Sequence, residues 1–238
     1  GREFWVAWGH NQLGTGATFK IYLSTTNQAN VDISFVGGTS IYNNYIPPNS
    51  VVEVNVPYNG SASMLSFTDG INDNKAIRIT ADEPIVAYTH MIGSASSGAT
   101  MLLPVETWGQ RYFSMNSAQD WGAGARSWVY VIANQDSTYV ELTPTVQSTN
   151  TTANTPLTVM LMRGQIYNML ANSLSDDMSG TQVRSVNGPQ GQPCKPIAVF
   201  SGTSRTRLGS SGDFAMQQIF PAQAWGTRYL SAPASSLS

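Results

Sequence analysis

Apolar and polar residues alternate with a period of two along much of the chain, which is the pattern of half-buried β-strands. The clearest runs extend from Phe19 to Leu23, Val52 to Val56, Ile77 to Ile79, Trp128 to Ile132 and Leu157 to Leu161. They are short, rich in β-branched residues and bounded by Asn, Gly, Pro and Ser. One stretch approaches helical spacing, and Arg163-Gly164 interrupts it with a turn signal. The pattern therefore predicts an all-β fold.

Several strand phrases occur twice in the same order, which indicates a duplicated unit of about 110 residues. The matched pairs are Glu83 to Tyr88 with Lys195 to Phe200, Leu103-Pro104 with Phe220-Pro221, and Trp108 to Tyr112 with Trp225 to Tyr229. Residues 19–34 also align without a gap on residues 128–143, which pairs Tyr22 with Val131. One ordered series of matches is the signature of an internal duplication.

The duplication predicts two tandem β-sandwich-like repeats, residues 1–108 and 109–225, with seven or eight strands each. Residues 226–238 follow as the first strand of a third repeat, as a linker or as an exchanged strand. A β-propeller-like assembly is the alternative, although propeller blades usually have about 40–50 residues. The polar segment 147–156 is predicted to be a flexible hairpin tip that buries little backbone.

Composition limits the kinds of partner. Only 11% of the 238 residues are charged, against about 25% in typical domains. The net charge of −2 and the absence of a basic run argue against nucleic acid. No segment has the roughly 20 continuous apolar residues of a membrane span, so no membrane insertion by this segment is expected. A polar surface of Ser, Thr and Asn is typical of an exported, extracellular bacterial protein.

The sequence offers no set of residues for catalysis. His10 and His90 are the only histidines, and no nucleophile elbow lies near either. Their spacing also lacks the pattern of a zinc site. A glycosidase needs two carboxylates that face one cleft, and nothing in the sequence pairs the scattered Glu residues. We therefore predict that the chain is not an enzyme and has no catalytic residues.

Two loops carry candidate ligand contacts. Asp69, Asn72 and Asp73 concentrate oxygen ligands in one short loop, which is a possible calcium site, and no other cofactor is indicated. The same residue types form ordinary Asx-turns, so a structural turn is the alternative. Trp121 follows Asp120 in a Gly-rich loop and has no evident place in a core, so these two are candidate ligand contacts.

Nearly the whole chain resembles the IgGFc-binding protein N-terminal domain family. The resemblance includes GREFWVAWGH, IRITADEPIVAY and MLLPVETWGQRY in the first half, and VYVIANQDSTYVELTP, KPIAVFSG and FPAQAWGTRY in the second. It implies an extracellular surface or matrix role as a module of a longer protein. Members usually have an acidic residue shortly before the Leu-Pro landmark. Here Asp213 is that residue in the second half and is a third candidate ligand contact, whereas Gly98 takes its place in the first.

These observations predict a non-enzymatic, cell-surface adhesion or ligand-binding segment of a larger protein. Its partner would be an extracellular protein, a glycan or another copy of itself. The alternative is a structural subunit or stalk of a surface filament, assembled by strand exchange.

Overall fold

A computed structural model describes residues 1–11, 16–57, 65–93, 96–118, 124–208 and 210–231. The first half contains nine strands in the described residues: β1 (Glu3–Val6), β2 (Thr18–Thr25), β3 (Ala29–Phe35), β4 (Ser40–Ile46), β5 (Ser50–Val56), β6 (Gly70–Asn72), β7 (Ile77–Ala81), β8 (Val86–Ile92) and β9 (Ser97–Met101). The second half contains eight: β10 (Arg111–Phe113), β11 (Ser127–Ala133), β12 (Thr138–Thr143), β13 (Leu157–Leu161), β14 (Ile166–Leu170), β15 (Gln182–Val186), β16 (Ile197–Leu208) and β17 (Ser211–Gln218). Short 3-10 helices lie at Val105–Thr107 and Ala222–Ala224.

The strands form four antiparallel sheets. Their orders are β1-β7-β3-β4, β5-β2-β8-β9, β17-β16-β11-β14-β6 and β10-β15-β12-β13. Neighbouring sheets meet at their edges, where β4 leads into β5, β9 lies beside β17, and β13 leads into β14. This confirms the predicted all-β class. The ring of small sheets resembles a four-bladed propeller and agrees with the alternative arrangement.

The two halves have the same strand order. The first-half sheet β1-β7-β3-β4 corresponds, strand by strand, to the second-half sheet β10-β15-β12-β13. The other first-half sheet, β5-β2-β8-β9, corresponds in the same way to β14-β11-β16-β17. Strand β6 breaks the rule, because it leaves the first half and pairs with β14 at the edge of a second-half sheet. The halves are therefore joined by a shared sheet.

Strand registers correct one part of the internal alignment. Tyr88 and Phe200 match in the repeated phrase, and they lie opposite Tyr22 and Tyr130 respectively. Tyr22 therefore corresponds to Tyr130, and the gapless pairing with Val131 is wrong by one residue. The cause is the turn before the next strand, which has three residues between β2 and β3 and four between β11 and β12. A shift of one residue exchanges the two faces of a strand.

The halves also share a hydrophobic core. One cluster of buried residues belongs to the second half alone and includes Val129 and Val131. The larger cluster combines first-half residues with Trp128, Tyr130 and Ile132 of β11. All seven residues of β11 are buried, so both of its faces are covered. The sheet that contains β11 thus packs against its own half on one face and against the first half on the other.

The segment after the last strand does not form a third unit in the described residues. Residues 226–231 contain no strand, and residues 232–238 lie outside the described part of the chain. The predicted boundaries at 108 and 225 coincide with the two Trp residues that follow the 3-10 helices. Whether the tail begins a third repeat stays a prediction.

Candidate binding surfaces

Asp69 lies where the two halves meet. Its carboxylate accepts hydrogen bonds from the Ser148 hydroxyl, from Thr149 Oγ1 (2.8 Å) and from the backbone N–H of Leu170 (2.8 Å). The N–H of Asn150 donates to the same carboxylate at 3.2 Å. All of these donors belong to the second half, 79 to 101 residues away in sequence. Asp69 is buried and connects the halves.

The other two candidate calcium ligands point to different partners. Asn72 Oδ1 accepts the N–H of Ser66 at 2.9 Å, and Asp73 Oδ1 accepts Gln165 Nε2 at 2.7 Å. Within the described residues, no group of three or more His, Cys, Asp or Glu side chains is placed to hold a metal. The calcium site stays a prediction, and a cation at Asp69 would have to replace the donors of the 148–150 segment.

The segment 147–156 is anchored, which corrects the expectation of a flexible tip. Ser148 is fully buried, and its backbone N–H donates to Thr151 O at 2.9 Å. The N–H of Thr149 donates to Leu170 O at 3.0 Å, and its hydroxyl reaches Asp69. A Ser/Thr/Asn composition indicated a solvated loop, whereas these hydroxyl groups serve as donors to the buried carboxylate.

Asp213 connects the edges of two sheets. Its Oδ1 atom accepts the backbone N–H of Ser97 at 2.6 Å and the hydroxyl of Ser96 at 3.1 Å. It also accepts the N–H of Phe214 at 2.9 Å. These bonds hold β17 beside β9, so one carboxylate oxygen is engaged within the chain. The predicted role of Asp213 in ligand binding stays a prediction, as do those of Asp120 and Trp121, which lie outside the described residues.

His10 is buried at the same boundary between the halves. Its Nδ1 atom is hydrogen-bonded to the Ser204 hydroxyl, which itself donates to Arg126 O at 2.8 Å. The Ser204 hydroxyl also accepts the backbone N–H of Arg126 at 3.1 Å, so it is bonded to both backbone groups of that residue. Burial, with a smaller contribution from Arg126, lowers the pKa of His10 to about 4. A nucleophilic serine instead needs a hydroxyl that donates to the imidazole.

An apolar groove opens beside the last strand of the second half. It has a volume of about 620 Å³ and is lined by Phe113, Ser114, Met115, Gln217, Ile219, Phe220, Ala224, Trp225, Gly226 and Tyr229. Four of these side chains are large, apolar or aromatic, and exposed: Met115, Phe220, Trp225 and Tyr229. The Trp225 ring packs on Phe113 at 5.6 Å, and its Nε1 donates to Phe220 O at 3.3 Å. We call this surface the groove.

A second exposed surface is the outer face of the sheet β5-β2-β8-β9. Tyr22, Val51, Val86, Tyr88 and Met101 lie on it, and all but the half-buried Tyr22 are exposed. The only charged pair that the structure gives on this face joins Lys20 and Glu53 at 2.6 Å. Their hydrogen bond raises the pKa of Lys20 and lowers that of Glu53. We call this surface the sheet face.

Neither surface was predicted from the sequence. The alternation in β2, β5 and β8 did indicate which residues point away from the core, but it could not show that the corresponding residues of the second half are covered. Trp225 was recognised only as a repeat boundary. The one signal in the sequence was that large apolar residues, Val86, Tyr88 and Met101, occupy strand positions that point away from the core.

Comparisons with known proteins identify the family. A family model described as IgGFc binding protein matches residues 98–238, which is more than half of the chain. No curated protein matches the chain. Among solved structures, the major pilin from Streptococcus pyogenes is similar over 92% of this chain and 98% of that one, with 8% identity and a TM-score of 0.23, too low to support a structural argument.

The described residues contain only short helices. None of the helices there is long and apolar enough to cross a bilayer.

Proposed function

Since the chain belongs to the IgGFc binding protein family, we propose that it is a non-enzymatic extracellular segment that binds a protein partner in the groove. The observation that carries this proposal is the set of aromatic and Met side chains left exposed around a concave apolar volume. Large apolar residues of this kind, clustered on an otherwise polar surface, are typical of protein interaction sites.

The groove lining favours a protein over a glycan. Its polar side chains are Ser114, Gln217 and the Tyr229 hydroxyl, and the remaining side chains are apolar or aromatic. A glycan site needs several convergent hydrogen-bonding groups that fix the sugar hydroxyls, whereas a protein anchor fills such a groove with apolar side chains. An extracellular location is supported by the family and by the low charged fraction of 11%.

The non-enzymatic part of the proposal rests on where the reactive residues lie. The buried His10 and Ser204 are removed from solvent, and the serine hydroxyl is bonded to both backbone groups of Arg126. The described residues that line the groove include no carboxylate, histidine or cysteine. It therefore has the groups for binding and lacks a nucleophile with a base.

The experiment is a binding screen of the purified chain. The probes are the Fc fragment of IgG, which the family description names, and arrays of extracellular proteins and of glycans. We expect a protein ligand whose affinity falls at least about tenfold in Met115→Glu and in Trp225→Ala, because truncation or charge in an apolar anchor site has an effect of this size. Met160→Glu, on the distant edge strand β13, is the matched control and should leave the affinity unchanged.

Two outcomes contradict the proposal. One is a protein ligand whose affinity is the same in all three variants. The other is glycan binding that is lost in Trp121→Ala and retained in Met115→Glu, which would place the site in the 119–123 loop.

A structural role in a surface filament is the second candidate. It is favoured by β6, a strand that leaves its own half and pairs with the sheet of the other half. The same chemistry between chains would give assembly by strand exchange.

A further inference from the structure

The joint between the halves has two complementary sides. On the second-half side, Asn168, Tyr130, Phe200 and Gln218 lie in one row across the sheet, each opposite the next. The polar members of this row contact the backbone of the first half. Tyr130 Oη donates to Ala7 O at 3.1 Å, Asn168 Nδ2 donates to Ser66 O at 2.9 Å, and Gln218 Oε1 accepts the N–H of Leu103 at 2.7 Å.

The receiving side belongs to the first half. It contains Ala7, which follows β1, together with Leu103 and Trp108, which follow β9. All three are buried in the shared core. Trp108 Nε1 donates to Leu103 O at 3.0 Å, so the ring is fixed by the backbone of its own half.

Each half contributes one side of the joint. Each half also has a surface that corresponds to the other side, and that surface is not used within the chain. In the first half, the row that corresponds to Asn168, Tyr130, Phe200 and Gln218 is Glu53, Tyr22, Tyr88 and Met101, because the registers are the same. This row lies on the sheet face. Tyr88 is 43% exposed where Phe200 is fully buried, and Met101 is 40% exposed where Gln218 is 1% exposed.

The groove is the counterpart of the receiving side. Phe220-Pro221 and Trp225 correspond to Leu103-Pro104 and Trp108, and the bond from Trp225 Nε1 to Phe220 O repeats the one from Trp108 to Leu103. Trp225 is 51% exposed where Trp108 is 7% exposed, and Phe220 is 48% exposed where Leu103 is 7% exposed. In the part of the chain that the structure describes, the unused receiving side is therefore uncovered.

We propose that the groove of one copy of this chain receives the sheet face of a second copy, in the arrangement that joins the two halves within one chain. This inference rests on the proposed function and names the partner of the same groove. The two surfaces lie on different halves, so the contact is head-to-tail. Such a contact repeats from copy to copy and gives open chains of molecules unless the rotation closes a ring.

Some side chains that differ between the two joints make this pairing more apolar at one end of the row. In the joint within the chain, Gln218 is hydrogen-bonded to the backbone of Leu103. On the free surfaces, the apolar Met101 corresponds to Gln218 and Phe220 corresponds to Leu103. Met115 corresponds to Ala7 in the strand registers of the two halves, and it is exposed and adaptable, as Met is at binding surfaces. The sheet face also has the Lys20–Glu53 pair, and Glu53 corresponds to the buried Asn168, so this charged pair would be covered by the contact and should weaken it. A contact with fewer buried hydrogen bonds should be weaker than the joint inside the chain.

The test uses the whole chain and two single substitutions at exposed positions, Tyr88→Glu on the sheet face and Met115→Glu in the groove. Sedimentation velocity and light scattering give the mass as a function of concentration. We expect the wild-type chain to grow from one-chain mass to two-chain and larger species. Each variant alone should stay at one-chain mass, because a head-to-tail contact needs both surfaces.

An equimolar mixture of the two variants supplies the decisive result. Met115→Glu keeps its sheet face and Tyr88→Glu keeps its groove, so the mixture should form a two-chain species and nothing larger. Tyr45→Glu and Met160→Glu, at exposed positions on other strands, are the matched controls and should assemble like the wild type. Thermal melting of every variant checks that the fold is retained.

Several results would overturn the inference. A wild-type chain of one-chain mass at all concentrations would do so, as would self-association that either variant leaves intact. A mixture that stays at one-chain mass would exclude the head-to-tail pairing. If the wild type stays single but Met115→Glu still weakens a protein ligand from the binding screen, the proposed function stands and only this inference fails.

Discussion

Buried polar side chains at the boundary between the halves determine much of the residue-scale behaviour. Asp69 and His10 were both visible in the sequence, but their partners lie far away along the chain. Asp69 is bonded to donors from Ser148 to Leu170, and His10 to Ser204. Local spacing placed Asp69 in an oxygen-rich turn. It could not show that the carboxylate oxygens accept hydrogen bonds from the second half, because only folding brings these segments together.

Asp69→Ala should lower the free energy of unfolding by about 3 kcal/mol, because the buried donors Ser148 and Leu170 and the half-buried Thr149 lose their acceptor. Urea unfolding followed by tryptophan fluorescence measures this. Asp73→Ala is the control, since it removes one exposed bond and should cost less than about 1 kcal/mol. Equal losses in the two variants would contradict the account. A melting temperature that rises with calcium in the wild type but not in Asp73→Ala would instead establish the calcium site.

His10 predicts a loss of stability in mild acid. Its pKa is about 4 in the folded chain and about 6.5 in the unfolded chain, so the unfolded state binds more protons between these values. The stabilisation is fully present above pH 6.5 and is lost as the pH falls towards 4, by about 3 kcal/mol in total. Urea unfolding between pH 7 and pH 4 should show this slope, and His10→Gln should show a smaller one. Parallel slopes would exclude His10 as the cause.

At the scale of elements, the alternation of apolar and polar residues predicted where the strands lie. It did not predict which strands are buried on both faces. The runs at Phe19 to Leu23, Val52 to Val56 and Trp128 to Ile132 all lie in strands. Alternation implies one buried face, yet β11 is buried on both. The one-residue difference in turn length also shifted the internal alignment, so Tyr22 was paired with Val131 instead of Tyr130. Period alone does not say what lies on the second face of a strand.

The close approach of β9 to β17 gives a prediction for Gly98. A Cβ atom at this position would lie 2.5 Å from Phe214 Cδ1 and 2.7 Å from Phe214 O. Gly98→Val should therefore separate the two strands and cost about 1–3 kcal/mol of stability. Gly16→Val is the control, because no atom lies within 4 Å of its Cβ position. Unchanged thermal melting of Gly98→Val would show that the strands are not held this closely.

At the scale of the whole molecule, the chain repeats one strand order twice and joins the copies through a sheet buried on both faces. The duplication was evident from the sequence, but the shared core was not, because it depends on how one unit packs against the next. This packing accounts for the exposed residues that remain. Among the described residues, none covers the sheet face of the first half or fills the groove of the second half.

The most direct test of this account is photo-crosslinking from the groove. A benzophenone amino acid replaces Met115, the chain is irradiated at a concentration where it self-associates, and the joined peptides are identified by mass spectrometry. Since Met115 corresponds to Ala7, which contacts Tyr130, and Tyr22 corresponds to Tyr130, we expect intermolecular products that contain residues 18–25 of a second copy. Crosslinks confined to other surfaces, or no crosslinks between chains, would contradict the claim that the contact between the two halves of one chain is repeated between copies.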